Sequence, residues 1–225
     1  MVRLVLFDID GTLLHTNSVG IRAFARTLQS EFNVPNGTDG LKFAGRTDTG
    51  LVRELFVKHG IDVSKKNFQR FFDTYAKWLE PMLAETGGEV CPGAWALIRE
   101  LQSMQQPPAL GLLTGNIRLG AEIKLRHFNL WDVFPTGAFA DDHEDRNQIA
   151  AIALQRGSQF LGAPLRGKQV IVIGDTPHDI ACGKAIGAKV LAVATGISPV
   201  EELQSFKPDW AVADLTKIRA KEICG

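Results

Sequence analysis

Apolar runs without polar alternation recur along the chain at Val2 to Phe7 (broken only by Arg3), Leu110 to Leu113, Val170 to Ile173 and Val190 to Val193. Runs of this kind predict strands buried on both faces. Helical-looking segments separate the later runs, and this alternation predicts a parallel sheet in an α/β fold. Between the first two runs the pattern changes. His15 to Gly88 holds no comparable strand but several amphipathic stretches, Ile21 to Phe32, Gly50 to His59 and Lys66 to Leu83. That is too much chain for a crossover, so residues 15–88 are expected to form a helical cap inserted into a core made of 1–14 and 89–225. The polar stretch His15 to Ser18 and the Gly87, Gly88, Pro92, Gly93 cluster mark its boundaries as candidate hinges.

In an open parallel sheet ligands bind beyond the carboxyl ends of the strands. The first run ends at Asp8 and Asp10, the second at Thr114, Gly115 and Asn116, and the third at Asp175 with Asp179 one helical turn later. Four carboxylates at one edge repel unless protons or a cation offset their charge, and an all-oxygen set suits a hard ion such as magnesium. Asp8 and Asp10 face one site if the strand runs on to Asp10, or if a turn at Asp10 and Gly11 folds the second carboxylate back.

The ordered set "DIDGT", "LLTGN" and "GDTPHD" resembles motifs one, two and four of the haloacid dehalogenase superfamily of phosphohydrolases. The resemblance covers nearly the whole chain. It implies a Rossmann-like core with helices on both faces, a helical cap, and a phosphoglycolate phosphatase-like enzyme that hydrolyses a small phosphorylated metabolite. Asp8 would be the nucleophile, forming an aspartyl phosphate, and Asp10 the acid and base. Magnesium would be held by Asp8, the Asp10 carbonyl and Asp175, with Asp179 orienting the ligands. Thr114, with the amides of Gly115 and Asn116, would bind the phosphoryl oxygens. Dehalogenases of the superfamily lack the second aspartate, so Asp10 favours phosphate chemistry.

The third motif departs from the pattern. It normally supplies a lysine beside the nucleophile, but "FADDHEDRNQIAAIAL", Phe139 to Leu154, contains none. Arg146 is its one cation of fixed charge and is expected to fill the role; the alternative is a local ion pair with Asp142, Glu144 or Asp145. In the cap, "LKFAGRTDTGLVREL" offers Lys42 and Arg46 as substrate-binding candidates ahead of a helix capped by Thr47 or Asp48. Related sugar-phosphate mutases carry a histidine at the slot of Gly20, which favours hydrolysis here. A phosphonate hydrolase using Lys42 and a catalytically silent binding module are the further alternatives.

Composition narrows the partners. Lys plus Arg and Asp plus Glu are 25 each, so no overall field favours nucleic acid or an anionic membrane. Cys91, Cys182 and Cys224 are odd in number and scattered, which predicts reduced thiols and a cytoplasmic setting.

Overall fold

The computed structural model describes residues 1–225. The chain begins with strand β1 (Leu4–Phe7) and the short β2 (Leu14–His15), then runs through helices α1 (Val19–Phe32), α2 (Asp48–Lys58) and α3 (Lys65–Thr86) before returning in β3 (Glu89–Val90). Helix α4 (Ala94–Gln102), β4 (Ala109–Leu113), α5 (Arg118–His127), β5 (Thr136–Ala138) and α6 (Arg146–Phe160) follow. The last third alternates β6 (Val170–Gly174), α7 (Pro177–Ala185), β7 (Lys189–Val193), α8 (Val200–Ser205), β8 (Trp210–Val212) and α9 (Ala220–Cys224).

Six strands form one parallel sheet in the order β5, β4, β1, β6, β7, β8. The fold is a Rossmann-like α/β core with helices on both faces. Alternate residues of β1 show why the run is apolar throughout. Leu4 and Leu6 enter a cluster with Ile149, Ala153 and Cys182 of α6 and α7, whereas Val5 and Phe7 enter another with Leu97, Leu101 and Leu125 of α4 and α5. Two strands escape the apolar pattern. β5 and β8 are three residues each and lie at the sheet edges, where a short pairing suffices.

The register brings the chemistry together. Phe7 stands opposite Leu112 of β4 and Ile173 of β6, so Asp8 lies one step from both Thr114 and Asp175.

Helices α1 to α3 pack around their own cluster, in which Phe24 contacts Phe71 and Tyr75 edge to face at 5.0 and 4.9 Å. Caps set the helix starts: Thr47 accepts from the Gly50 N–H, Ser64 from that of Asn67 and Asp145 from that of Asn147. Thr47 is therefore the N-cap of α2, and Asp48 is its first helical residue. The two crossings between these helices and the sheet pair with each other, β2 antiparallel to β3, with His15 opposite Glu89. No helix is long and apolar enough to cross a membrane.

Candidate active site

β1 stops at Phe7, and a turn through Gly11 returns Asp10 to the site that Asp8 faces. The folded-back geometry is the one adopted. Asp8, Asp175 and Asp179 are buried, and one carboxylate oxygen from each lies within 4.8 Å of the others. Burial pushes Asp8 up to about 6; Arg146 pulls against this, while Asp179 and Asp10 add to it. Burial, then Asp179 and Asp8, hold Asp175 well above the usual carboxylate range.

Arg146 enters this cluster from the first turn of α6. Its Nη2 lies 3.2 Å from Asp8 Oδ2 and donates to Asp179 Oδ1, while Nη1 donates to the Gly45 carbonyl at 3.3 Å. The local ion pairs that competed for it are engaged otherwise. Asp142 pairs with Arg156, Glu144 with Arg53, and Asp145 caps α6. Asp179 also accepts from the Thr176 amide and hydroxyl, at 3.0 and 2.6 Å. With both oxygens occupied it is placed to hold Arg146 and the start of α7, leaving Asp8 and Asp175 freer to meet a cation.

Asn116 lines the cavity, and its backbone amide is already engaged. That N–H donates to Thr114 Oγ1 at 3.2 Å, and its side-chain Nδ2 donates to the same oxygen at 2.9 Å and to Asp10 Oδ2 at 2.8 Å. A hydroxyl has two acceptor positions. With both filled, Thr114 must send its own proton elsewhere, which leaves it a donor at the cavity wall.

Asp10 has a partner that motif reading missed. Lys124 Nζ, from α5, lies 2.9 and 2.6 Å from the two Asp10 oxygens and 2.7 Å from Asn116 Oδ1. Burial pushes Asp10 up, but the Lys124 charge and hydrogen bond, with those of Asn116 and Thr16, outweigh it and leave the carboxyl below its ordinary value. The Asp10 side chain is 42% exposed to the cavity, so water there tempers both effects. The signal for Lys124 was a charge on an apolar stripe: Gly120, Ala121, Lys124 and Leu125 are the buried residues of α5.

The cap closes over these groups. Thr47 Oγ1 donates to the Glu144 carbonyl at 2.9 Å, Thr49 Oγ1 to the Ala140 carbonyl at 3.0 Å, and the Asp48 amide to the Gly115 carbonyl at 2.7 Å. The Asp48 carboxylate accepts from the Ile117 N–H at 2.8 Å. Gly45, at φ 70°, passes so close that a Cβ would stand 2.5 Å from the His178 ring and 2.8 Å from Thr176 Oγ1. Arg46 and Gly115 line the cavity, but Arg46 is paired with Glu54 at 2.5 Å. Lys42 is exposed and outside the cavity, because its segment turns Phe43 toward the cap core. The cavity, about 510 Å³ and open on one side, is lined by Asp8, Asp10, Thr114, Lys124 and Arg146 from the core and by Gly20, Phe24, Phe43 and Tyr75 from the cap.

Residues 5–193 match the haloacid dehalogenase-like hydrolase family. The chain belongs to this family. The hydrolase is 28% identical over 218 residues to pyrophosphatase PpaX of Bacillus cereus strain AH820, covering 96% of this chain and 94% of that one. Among solved structures it is similar to a family IA, variant 3 hydrolase from Entamoeba histolytica (TM-score 0.74, 20% identity, 100% and 98% of the chains covered). A predicted phosphoglycolate phosphatase from Haemophilus somnus 129PT is also similar (TM-score 0.72, 18% identity, 96% of each chain). At such identities the two structures bear on the hydrolase's fold, which they share.

Proposed function

We propose that this hydrolase is a magnesium-dependent phosphatase that cleaves the monoester of a small phosphorylated metabolite through an aspartyl phosphate on Asp8. One observation carries the reading: Asp8 lies beside the Arg146 guanidinium at 3.2 Å, with Asp175 and a donating Thr114 at the neighbouring strand ends, under a closed cap. The pyrophosphatase name of the relative and the phosphatase name of the structural neighbour agree with it.

A divalent ion fits the donor set, since three buried carboxylates face one another with a single guanidinium between them. Asp8, the Asp10 carbonyl and Asp175 would hold magnesium, and Asp179 would hold the surrounding groups in place. When bound, the ion supplies positive charge against the repulsion between a carboxylate and a phosphate. Asp8 attacks phosphorus as the bond to the leaving oxygen breaks, and Asp10, ionised in the free site beside Lys124, passes to that oxygen the proton that a phosphate monoanion brings. Asp10 then takes a proton from water, which attacks phosphorus and frees Asp8 and inorganic phosphate. Arg146 and the Thr114 hydroxyl hold the phosphoryl oxygens throughout.

Gly20 supports hydrolysis over phosphoryl return. It has no side chain to take up a phosphoryl group or a proton, and it lines the cavity with Lys124 and Tyr75 beside it. The three buried free thiols suit a cytoplasmic enzyme. Phosphate release from a broad ester panel with magnesium, wild type beside Asp8→Asn, tests the reading. Release by the wild type and none by the variant is expected; equal activity in both would remove Asp8 as nucleophile.

A further inference from the structure

The cation of Lys124 is buried, 5% exposed, against the carboxylate that handles protons. Its ammonium has three protons and three acceptors, the two Asp10 oxygens and Asn116 Oδ1. A buried ion pair is weak evidence of stability, because well-packed apolar groups usually serve as well or better. On the apolar stripe of α5 a leucine or methionine would fill the same place, so packing gives no reason for a lysine. The geometry gives one. Without Lys124, Asp10 keeps the Asn116 amide at 2.8 Å and a long contact to Thr16 at 3.5 Å, which leaves its carboxylate free to turn about its own bonds.

We infer that Lys124 is a positioning residue that, with Asn116, fixes the Asp10 carboxylate toward the leaving-group side of the cavity. The inference rests on the phosphatase reading above. Asn116 joins the two halves of the site: it fills the acceptor positions of Thr114 on one side and fastens both Asp10 and Lys124 on the other. Orientation of the phosphoryl group's donor and of the leaving group's acid is thus set by one amide and one ammonium. A Cβ at Gly20 would meet both Lys124 Nζ and Tyr75 Oη at 3.6 Å, so this part of the cavity wall lies beside the Asp10–Lys124 pair.

The test compares two leaving groups through kcat/KM, which covers the steps up to leaving-group departure. An alkoxide needs a proton from Asp10, whereas the acetate of acetyl phosphate leaves without one. Lys124→Met should lose about 100-fold in kcat/KM on the alkyl phosphate that the wild type cleaves fastest, the scale of a lost orienting contact. On acetyl phosphate it should lose less than about 5-fold, and its melting temperature should stay near that of the wild type. Lys124→Ala, which removes the three outer methylenes with the ammonium, should regain alkyl phosphate hydrolysis when propylammonium is added. Equal losses on both substrates, unchanged activity, a faster alkyl reaction, or no rescue of the alanine variant would each overturn the assignment. If Lys124→Met does not fold, the rescue experiment and Lys124→Gln with the same two substrates decide. A wild type active only on acetyl phosphate overturns the leaving-group role while keeping the phosphatase reading; one active on neither overturns both.

Discussion

Asp48 gives a quantitative handle on how the cap sits on the core. The residue is 9% exposed, and its carboxylate has one hydrogen-bond donor, the Ile117 N–H at 2.8 Å. Burial pushes it from 3.8 to about 7, with Lys124 and the Ile117 N–H pulling back only in part. The native protein therefore keeps a proton that the unfolded chain releases. Stability from this group is complete below about pH 4 and is lost as pH rises toward 7, at about 1.4 kcal/mol per unit. Asp48→Asn keeps an oxygen for the Ile117 N–H and has no charge to bury. Its unfolding free energy minus that of the wild type should therefore climb by about 3 kcal/mol between pH 5 and pH 8, nearly all of it below pH 7. Urea unfolding of both proteins at unit pH steps in EDTA measures the difference, and groups that titrate alike in the two cancel. A difference flat to within about 0.5 kcal/mol would refute the argument, since Asp48 would then ionise as freely in the fold as outside it.

Arg146→Ala should lower kcat/KM by about 100-fold or more, because Asp8 and Asp179 lose their shared cation, while Arg146→Lys should recover only part, being unable to reach Asp8, Asp179 and Gly45 together; equal rates in all three would remove Arg146 from the site. Magnesium should raise the melting temperature of the wild type but not of Asp175→Asn. In EDTA that variant should melt a few degrees above the wild type, since about 1 kcal/mol of relieved repulsion corresponds to roughly 2–4 °C at this size; calorimetry checks both. Thr49→Val should weaken closure by about 1 kcal/mol through loss of its bond to the Ala140 carbonyl, raising KM several-fold with kcat little changed in steady-state kinetics.

The apolar runs located four of the six strands, because strands buried on both faces have no polar period to hide them. β5 and β8 were illegible: "TGA" and "WAV" are too short to form a run, and edge strands are not held to continuous hydrophobicity. The carboxylates and Thr114 were legible because strand ends fix where they must be. Arg146 was legible from the absence of a lysine in its slot, and its long fork explains how it spans Asp8, Asp179 and Gly45. Lys124 and the engagement of Asn116 were not. The apolar stripe of α5 marks Lys124 as a buried charge, but its partner, and that of Asn116 in the loop after β4, is Asp10 in the loop after β1, 114 and 106 residues away in sequence, which no local pattern encodes.

The pairing of β2 with β3 has a consequence for how the cap is joined to the core. His15 and Glu89 face each other in an antiparallel ladder, so the chain leaves and re-enters the core at two points about 5 Å apart. Residues 16–88 are thus joined to the sheet through one pair of adjacent strands, although they also share a buried cluster with Ile117 and Ala140. What the ladder confers is a covalent hinge of two short strands, while Thr47, Asp48 and Thr49 hold the inserted helices to the catalytic edge by contacts that can break without moving it.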